Sequence, residues 1–307
     1  MVKLGVVIVT YNRLALLKEC VNACQKQTKK FTKIYIVNNA STDGTAEYLH
    51  SIKKSHIEII DLPENRGGAG GFAAGMKRAS SNSDLDYILL IDDDAIIAEN
   101  FNEEIVKGIE KYGEDVLGYS GTVYTDRIVQ CQHRSRLKTK QDFIVEGCPI
   151  EEYKGEAFVY DLATFCGVYI SRKVMQKAGL PREDFFIWLD DAEYCFRLLK
   201  KTSMRGHFIN INAAKINHKS KSSSSGMSWK NYYGERNRLV IVKQYYPLAV
   251  VLKNYLRLDL RIIRRLLFGK NKFERKVAKM FAAAKRDAKH GRMGKSAIYN
   301  PEYKLEG

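Results

Sequence analysis

Short apolar runs alternate with amphipathic stretches through the first 94 residues. The runs at 4–9 (LGVVIV), 34–37 (IYIV), 57–61 (IEIID) and 87–91 (YILLI) have the length and β-branched content of strands, and helix-like segments lie between them at about 14–26, 44–53 and 70–80. Such alternation predicts an α/β fold with a parallel sheet and crossover helices, which binds ligands outside the carboxyl ends of its strands. Each run here ends in a polar cluster: TYNR at 10–13, NNASTDGT at 38–45, PENRGGAGG at 63–71 and DDD at 92–94. Four clusters on one edge outline a binding crevice.

From 95 to about 220 the pattern is mixed. Strands are expected at 118–124 and 165–170, a helix around 191–201, and another strand near 206–211. The stretch KSKSSSSGMS at 219–228 reads as a mobile loop, and WKNYYGERNRLVIVKQYYP then leads into a helical, basic tail. No internal repeat is visible.

Size and charge narrow the classes. With 307 residues, 45% hydrophobic, the chain can bury the core of one large α/β domain plus an appendage, or of two domains. The 51 Lys+Arg against 35 Asp+Glu give +16, but residues 251–307 alone hold 16 Lys+Arg against 5 Asp+Glu, so most of the excess belongs to the tail. That tail suits a polyanion such as nucleic acid, anionic lipid or a phosphorylated ligand. Six cysteines (20, 24, 131, 148, 166, 195) form no CxxC pair and are expected to be reduced thiols of a cytosolic protein. The opening apolar run meets Tyr-Asn-Arg at once and reads as a first strand, not a signal peptide. No stretch approaches the ~20 apolar residues that span a bilayer, so the protein is expected to be soluble or to rest on a surface.

The acidic clusters carry the sharpest chemistry. Asp92, Asp93 and Asp94 follow a buried strand, and adjacent carboxylates repel unless Lys, Arg or a divalent metal answers them. A D-x-D pair after a strand can hold Mg²⁺ or Mn²⁺ bridging a diphosphate; an exposed acidic turn would look the same in sequence. In FFIWLDDAEYCFRL (185–198), Asp190, Asp191 and Glu193 stand beside aromatic residues at a helix start. They are either helix-capping carboxylates or a partly desolvated general base. His218, after a strand, is a third ligand if a metal sits nearby and structural otherwise. The glycines of NRGGAGGFAAGM (65–76) let backbone approach a ligand closely, or simply form a tight strand-to-helix turn. Asn38 and Asn39 are either loop residues or partners of a base edge.

In their order these clusters resemble the family 2 glycosyltransferases of GT-A fold, nearest the branch of galactofuranosyltransferases and bacterial rhamnosyltransferases. VVIVTYNR, VNNASTDGT, NRGGAGGF, IDDDA, FFIWLDDAEYCFR, His218 and YYGERN carry the likeness, over roughly residues 3–240. The resemblance implies a Rossmann-like GT-A domain over 1–240, with a nucleotide-binding half (1–94) and an acceptor half (95–240), followed by a basic helical extension over 241–307. It implies a nucleotide pocket formed by Thr10, Tyr11, Asn12, Arg13, Asn39 and Arg66, with Gly67, Gly68 and Asp93 counted beside them. Asp92, Asp94 and His218 would hold Mn²⁺ or Mg²⁺ on the donor diphosphate. Asp191 would be the catalytic base, Asp190 and Glu193 would orient the acceptor, and Trp188 would form part of the sugar platform. Many family members carry Asp-Asp where this chain has Asn38-Asn39.

The implied activity is an inverting, metal-dependent sugar transfer onto a glycan or lipid-linked acceptor in bacterial surface polysaccharide synthesis. UDP-galactofuranose is the first choice of donor and dTDP-rhamnose the second. In the tail, 248–268 (LAVVLKNYLRLDLRIIRRLLF) has a helical pattern that places Lys253, Arg257, Arg261, Arg264 and Arg265 opposite Val251, Tyr255, Ile262 and Leu266, with Asp259 inside the apolar arc. This helix would either lie on an anionic membrane, placing a cytoplasmic protein on the inner face of the cell membrane, or pack on the catalytic domain or a second subunit. Two other readings compete. A sugar-phosphate nucleotidyltransferase would want more basic residues in the first loop than Arg13, and a nucleic-acid-binding protein acting through the tail would leave both acidic clusters unexplained.

Overall fold

A computed structural model of the chain describes residues 1–139, 141–201, 207–219, 226–269 and 271–305. The first half runs β1 (Leu4–Thr10), α1 (Leu14–Lys26), β2 (Lys33–Asn38), α2 (Thr45–Ser51), β3 (Ile57–Asp61), α3 (Gly67–Ser80) and β4 (Tyr87–Asp92). All seven residues of β1 are buried, because helices cover both faces of its sheet. Val7 and Val9 pack in one hydrophobic cluster with Phe72 and Met76 of α3, while Val6 and Ile8 point the other way to Leu17 and Cys20 of α1. Gly71 and Gly75 bring α3 down on the sheet: a Cβ at either would stand 2.5 or 2.3 Å from Val9 or Val7. Part of the glycine run is thus a packing device.

The second half contributes β5 (Ala95–Ile97), α4 (Phe101–Tyr112), β6 (Gly118–Thr125), β7 (Ile128–Val129), β8 (Arg134–Leu137), β9 (Val145–Gly147), β10 (Ala157–Tyr160), β11 (Leu162–Ala163), β12 (Val168–Ser171), α5 (Arg172–Ala178), α6 (Asp190–Lys201) and β13 (Phe208–His218). Among the described residues the main sheet has the order β10-β13-β6-β12-β4-β1-β2-β3, with β5 paired to β13 and β7 to β6. Strands β3, β2, β1 and β4 are parallel, and β12 enters antiparallel beside β4. The strand expected at 165–170 starts later, because Phe165 and Cys166 belong to a turn and the Gly167 amide donates to Leu90 O before pairing begins. Gly206, the expected start of the last strand, and residues 220–225 of the Ser-rich stretch lie outside the described residues.

Three helices follow: α7 (Lys230–Tyr245), α8 (Leu248–Phe268) and α9 (Lys272–His290). Helix α7 runs across residue 240, where the catalytic domain was expected to end. Its Tyr232, Tyr233 and Leu239 share one core with Leu258, Phe281, Tyr299 and with Phe186 of the loop before α6. The C-terminal helices are therefore packed onto the loop that carries the second acidic cluster.

Candidate active site

The ends of β1, β2 and β4 and the start of α3 meet at a cavity of about 500 Å³. Parallel pairing forces this: β1 lies between β2 and β4, so Thr10, Asn38 and Asp92 come to one edge. Of the residues expected to bind nucleotide, Thr10, Tyr11, Arg13, Asn39, Gly67, Gly68 and Asp93 line the cavity, together with Asp92.

Within this edge the polar groups divide into supports and groups that face the cavity. Asn39 is a support. Its Oδ1 accepts from Arg66 N at 2.9 Å, and its Nδ2 donates to Gly67 O at 3.0 Å and to Asn65 Oδ1 at 3.2 Å. Asn38 Nδ2 likewise donates to Asp61 Oδ1 at 2.8 Å. An Asp at either position would set a carboxylate against acceptors, which accounts for the Asn-Asn pair in this chain. Asn12 does not line the cavity; its Oδ1 accepts from Thr42 N at 2.7 Å and ties the first two loops together. Arg66 also departs from the expected pocket, since its guanidinium pairs with Glu183 at 2.5 Å. Gly67 has φ +70°, and a Cβ there would stand 1.9 Å from Phe186 O, so the turn into α3 requires glycine on both counts.

The acidic turn is only partly answered by cations. Thr10 Oγ1 donates to Asp93 Oδ2 at 2.7 Å, and Arg13 Nη1 donates to Asp94 Oδ2 at 2.7 Å and to Asp93 Oδ1 at 3.4 Å. Burial lifts Asp93 to about 6 despite these partners. Asp94 Oδ1 lies 3.3 Å from His218 Nε2, and Asp94 is held below its ordinary range by His218 and Arg13 despite its burial. The Asp92 carboxylate takes part in no hydrogen bond among the described residues, and burial with the Asp94 and Asp93 charges raises it well above the usual carboxylate range. Carboxylates and an imidazole are donors of the kind that suits Mn²⁺ or Mg²⁺, but of Asp92, Asp94 and His218 only Asp92 lines the cavity. Among the described residues the trio whose potential ligand atoms lie within 4.8 Å of one another is His133, Cys166 and His218, so His218 meets Asp94 on one side and these two residues on the other, and Asp92 is not part of that trio.

The second cluster splits. Asp190 and Asp191 open α6, after a loop in which Phe186, Trp188 and Leu189 all have φ of 65°. Strain of this kind persists only where the surroundings impose it, and Asn237 does so by donating from Nδ2 to Phe185 O, Ile187 O and Trp188 O at 2.8–3.1 Å. Burial pushes Asp191 up to about 6, offset in part by the backbone amides of Ala192 and Phe165. Asp190 is raised further by burial and by Asp191. Glu193 corrects the expectation: it is fully buried, with Arg197 Nε and Tyr245 Oη donating to its Oε1 at 3.0 and 2.5 Å, so its carboxylate holds α6 and α7 together. Neither Asp191 nor the exposed Trp188 lines the cavity; Trp188 follows the wall residues Phe186 and Ile187 in the loop, and Asp191 lies just beyond it in the first turn of α6.

Sequence reasoning missed the opposite wall. Trp229 and Lys230 at the start of α7 and Lys295, Asn300 and Glu302 near the C-terminus all face the cavity. Lys230 had one usable signal, its place one residue ahead of YYGERN, with Asn231 between; nothing in the spacing of residues 295–302 points to the site.

This geometry defines a nucleotide-type crevice with two carboxylate clusters at the edge of a mostly parallel sheet. Residues 5–175 match the model of glycosyl transferase family 2, and the chain belongs to that family. Its fold is that of the GT-A glycosyltransferases, and the chain spans less than a third of the length of the curated relatives it matches. Among relatives, the poly-β-1,6-N-acetyl-D-glucosamine synthase of Staphylococcus aureus strain COL is 31% identical over 119 residues, which cover 34% of this chain and 28% of that protein. A GalNAc-T7 structure with UDP, GalNAc and Mn²⁺ is similar over 92% of this chain and 54% of its own, with a TM-score of 0.66 and 14% identity. The S. aureus TarS 1–349 structure is similar over 94% and 88%, with a TM-score of 0.56 and 13% identity.

Proposed function

We propose that the enzyme transfers a hexosyl group from a nucleotide diphospho-sugar to a hydroxyl of a glycan or lipid-linked saccharide, with inversion, in bacterial surface polysaccharide synthesis. One observation carries this reading: a cavity of about 500 Å³ lined by both Asp92, whose carboxylate has no hydrogen-bond partner among the described residues, and Lys230, with a second carboxylate pair beside it. GalNAc-T7 and TarS, both of which have been solved with UDP, favour a uridine donor. UDP-galactofuranose is the first choice from the motif likeness, and dTDP-rhamnose the alternative.

In this reading Asp92, Asp94 and His218 hold a divalent ion, which when bound neutralises charge on the departing nucleoside diphosphate. Asp191 accepts the proton of the acceptor hydroxyl. The acceptor oxygen then bonds to the anomeric carbon as the bond from that carbon to the diphosphate oxygen breaks. A base with a pKa near 6 is ionised at neutral pH and still basic enough to take a proton. Asp190, raised well above the usual carboxylate range by burial and by Asp191, stands next to that base at the start of α6, where it would orient the acceptor.

Membrane placement belongs to the same proposal. No helix of the described residues is long and apolar enough to cross a bilayer. Helix α8 turns Leu258 and Ile262 inward, yet exposes Leu248, Leu252, Leu256, Leu260, Ile263 and Leu267 at helical spacing along one side. Lys253, Arg257, Arg261 and Arg264 run beside this stripe. Asp259 is neutralised by a short ion pair to Lys285 of α9. An apolar stripe bordered by cations fits the surface of an anionic bilayer. The outward apolar face is therefore not Val251, Tyr255 and Ile262, which pack on the protein.

Thermal shift with UDP, dTDP and GDP, each with and without Mn²⁺, tests the donor site. Stabilisation by one nucleotide that depends on metal supports it; no response to any of them overturns it.

A further inference from the structure

Resting on that donor-site reading, we infer that the segment 294–302 is a fixed strap that completes the donor site, and that its Lys295, with Lys230 of α7, holds the donor's diphosphate. The strap is anchored at both ends. Gly294 N donates to Asp184 O at 2.6 Å and Gly294 O accepts from Arg236 Nη1 at 2.7 Å. Ser296 N donates to Tyr233 Oη at 2.9 Å, the same hydroxyl donates to Tyr299 O at 3.0 Å, and the Tyr299 ring stacks on Tyr232 at 4.5 Å. This also explains YYGERN: Tyr232, Tyr233 and Arg236 hold the strap, while Asn237 holds the loop of Trp188. One turn and a half of α7 ties the donor wall to the second acidic cluster.

The charges assign the role. Arg13, the other cation that lines the cavity, is committed to Asp93 and Asp94. Among the described residues, Lys230 and Lys295 are the cavity-lining cations with no ion pair to a carboxylate. Lys230 is half-buried; burial disfavours its charge, the Asp92 and Asp94 carboxylates offset this only from beyond ion-pair distance, and arriving phosphate oxygens supply the direct partner it lacks. Lys295 is exposed at the rim and reaches the same space. Glu302, later in the strap, also faces the cavity; a carboxylate there suits ligand hydroxyls rather than phosphate. Because the strap is already in place, little ordering is needed on binding.

The test is calorimetric titration of the full chain with Mn²⁺ and UDP, UMP or uridine. Lys295→Ala and Lys230→Met should each weaken UDP about tenfold, UMP less, and uridine by no more than about twofold, and Lys295→Arg should recover UDP binding. Melting temperatures close to wild type establish that the variants fold. Unchanged UDP affinity in both variants overturns the inference, as does an equal loss for UDP and uridine, which would mean a change in cavity shape. If wild type binds none of the three ligands, the donor-site reading falls with it; UDP binding insensitive to both lysines removes only the strap's role.

Discussion

Asp191 is the residue at which catalysis and stability should pull in opposite directions. Its carboxyl is raised from 3.8 to about 6 by burial. A rise of that size corresponds to about 3 kcal/mol between the charged and neutral forms. The folded protein holds this proton to higher pH than the unfolded chain. The resulting destabilisation is therefore absent below pH ~3, grows as pH rises toward 6 and is fully present above it. Asp191→Asn removes the charge while its side-chain oxygen still accepts from Ala192 N, a bond of 2.7 Å in the native protein. The metal-free, nucleotide-free variant should be more stable than wild type at pH 8 by up to about 3 kcal/mol, or up to ~8 °C in melting temperature, with the gain about halved at pH 5. Turnover should fall about 10²–10⁴-fold while nucleotide binding stays within about twofold. Scanning calorimetry at the two pH values, with sugar-transfer assays and nucleotide titration, reads all three. A variant no more stable than wild type at pH 8 would refute the desolvation argument, and loss of nucleotide affinity would refute the assignment as base.

Asp92→Asn should abolish the Mn²⁺-dependent part of nucleotide stabilisation in thermal shift without lowering the melting temperature of the free protein, since it removes a carboxylate repelled by Asp94 and Asp93. Asn39→Asp should cost about 2–3 kcal/mol in denaturant melts, because a buried carboxylate would then face Gly67 O and Asn65 Oδ1. Gly67→Ala, with φ +70° and the carbonyl of Phe186 in the way, should cost about 3 kcal/mol or more and weaken nucleotide binding in titration. Replacing Leu252, Leu256 and Leu260 together by Glu should release the protein from anionic vesicles in sedimentation while leaving its melting temperature within about 2 °C; undiminished vesicle binding would remove α8 as the contact.

How much of the site was legible follows from how local each feature is. The four polar clusters could be read from the chain because strand, turn and helix start are encoded within a few residues, and a parallel sheet must bring strand ends to one edge. The same logic located Thr10, Arg13, Gly67 and Asp92 at the cavity. It misjudged Glu193, since a carboxylate in the first turn of a helix looks alike whether it faces a substrate or, as here, Arg197 and Tyr245. It gave α8 its length and its cations, but periodicity alone did not say which apolar side the body of the protein would cover.

What the sequence by itself determined is the order of strands and helices through residue 94, the acidic turn after β4 and the family to which the chain belongs. Tertiary structure alone decided that residues 294–302 return to a cavity begun at Thr10. Contacts between residues 58 and 66 positions apart leave no periodic trace; they arise because Tyr232, Tyr233 and Arg236 offer a ring face, a hydroxyl and a guanidinium where the returning backbone needs partners.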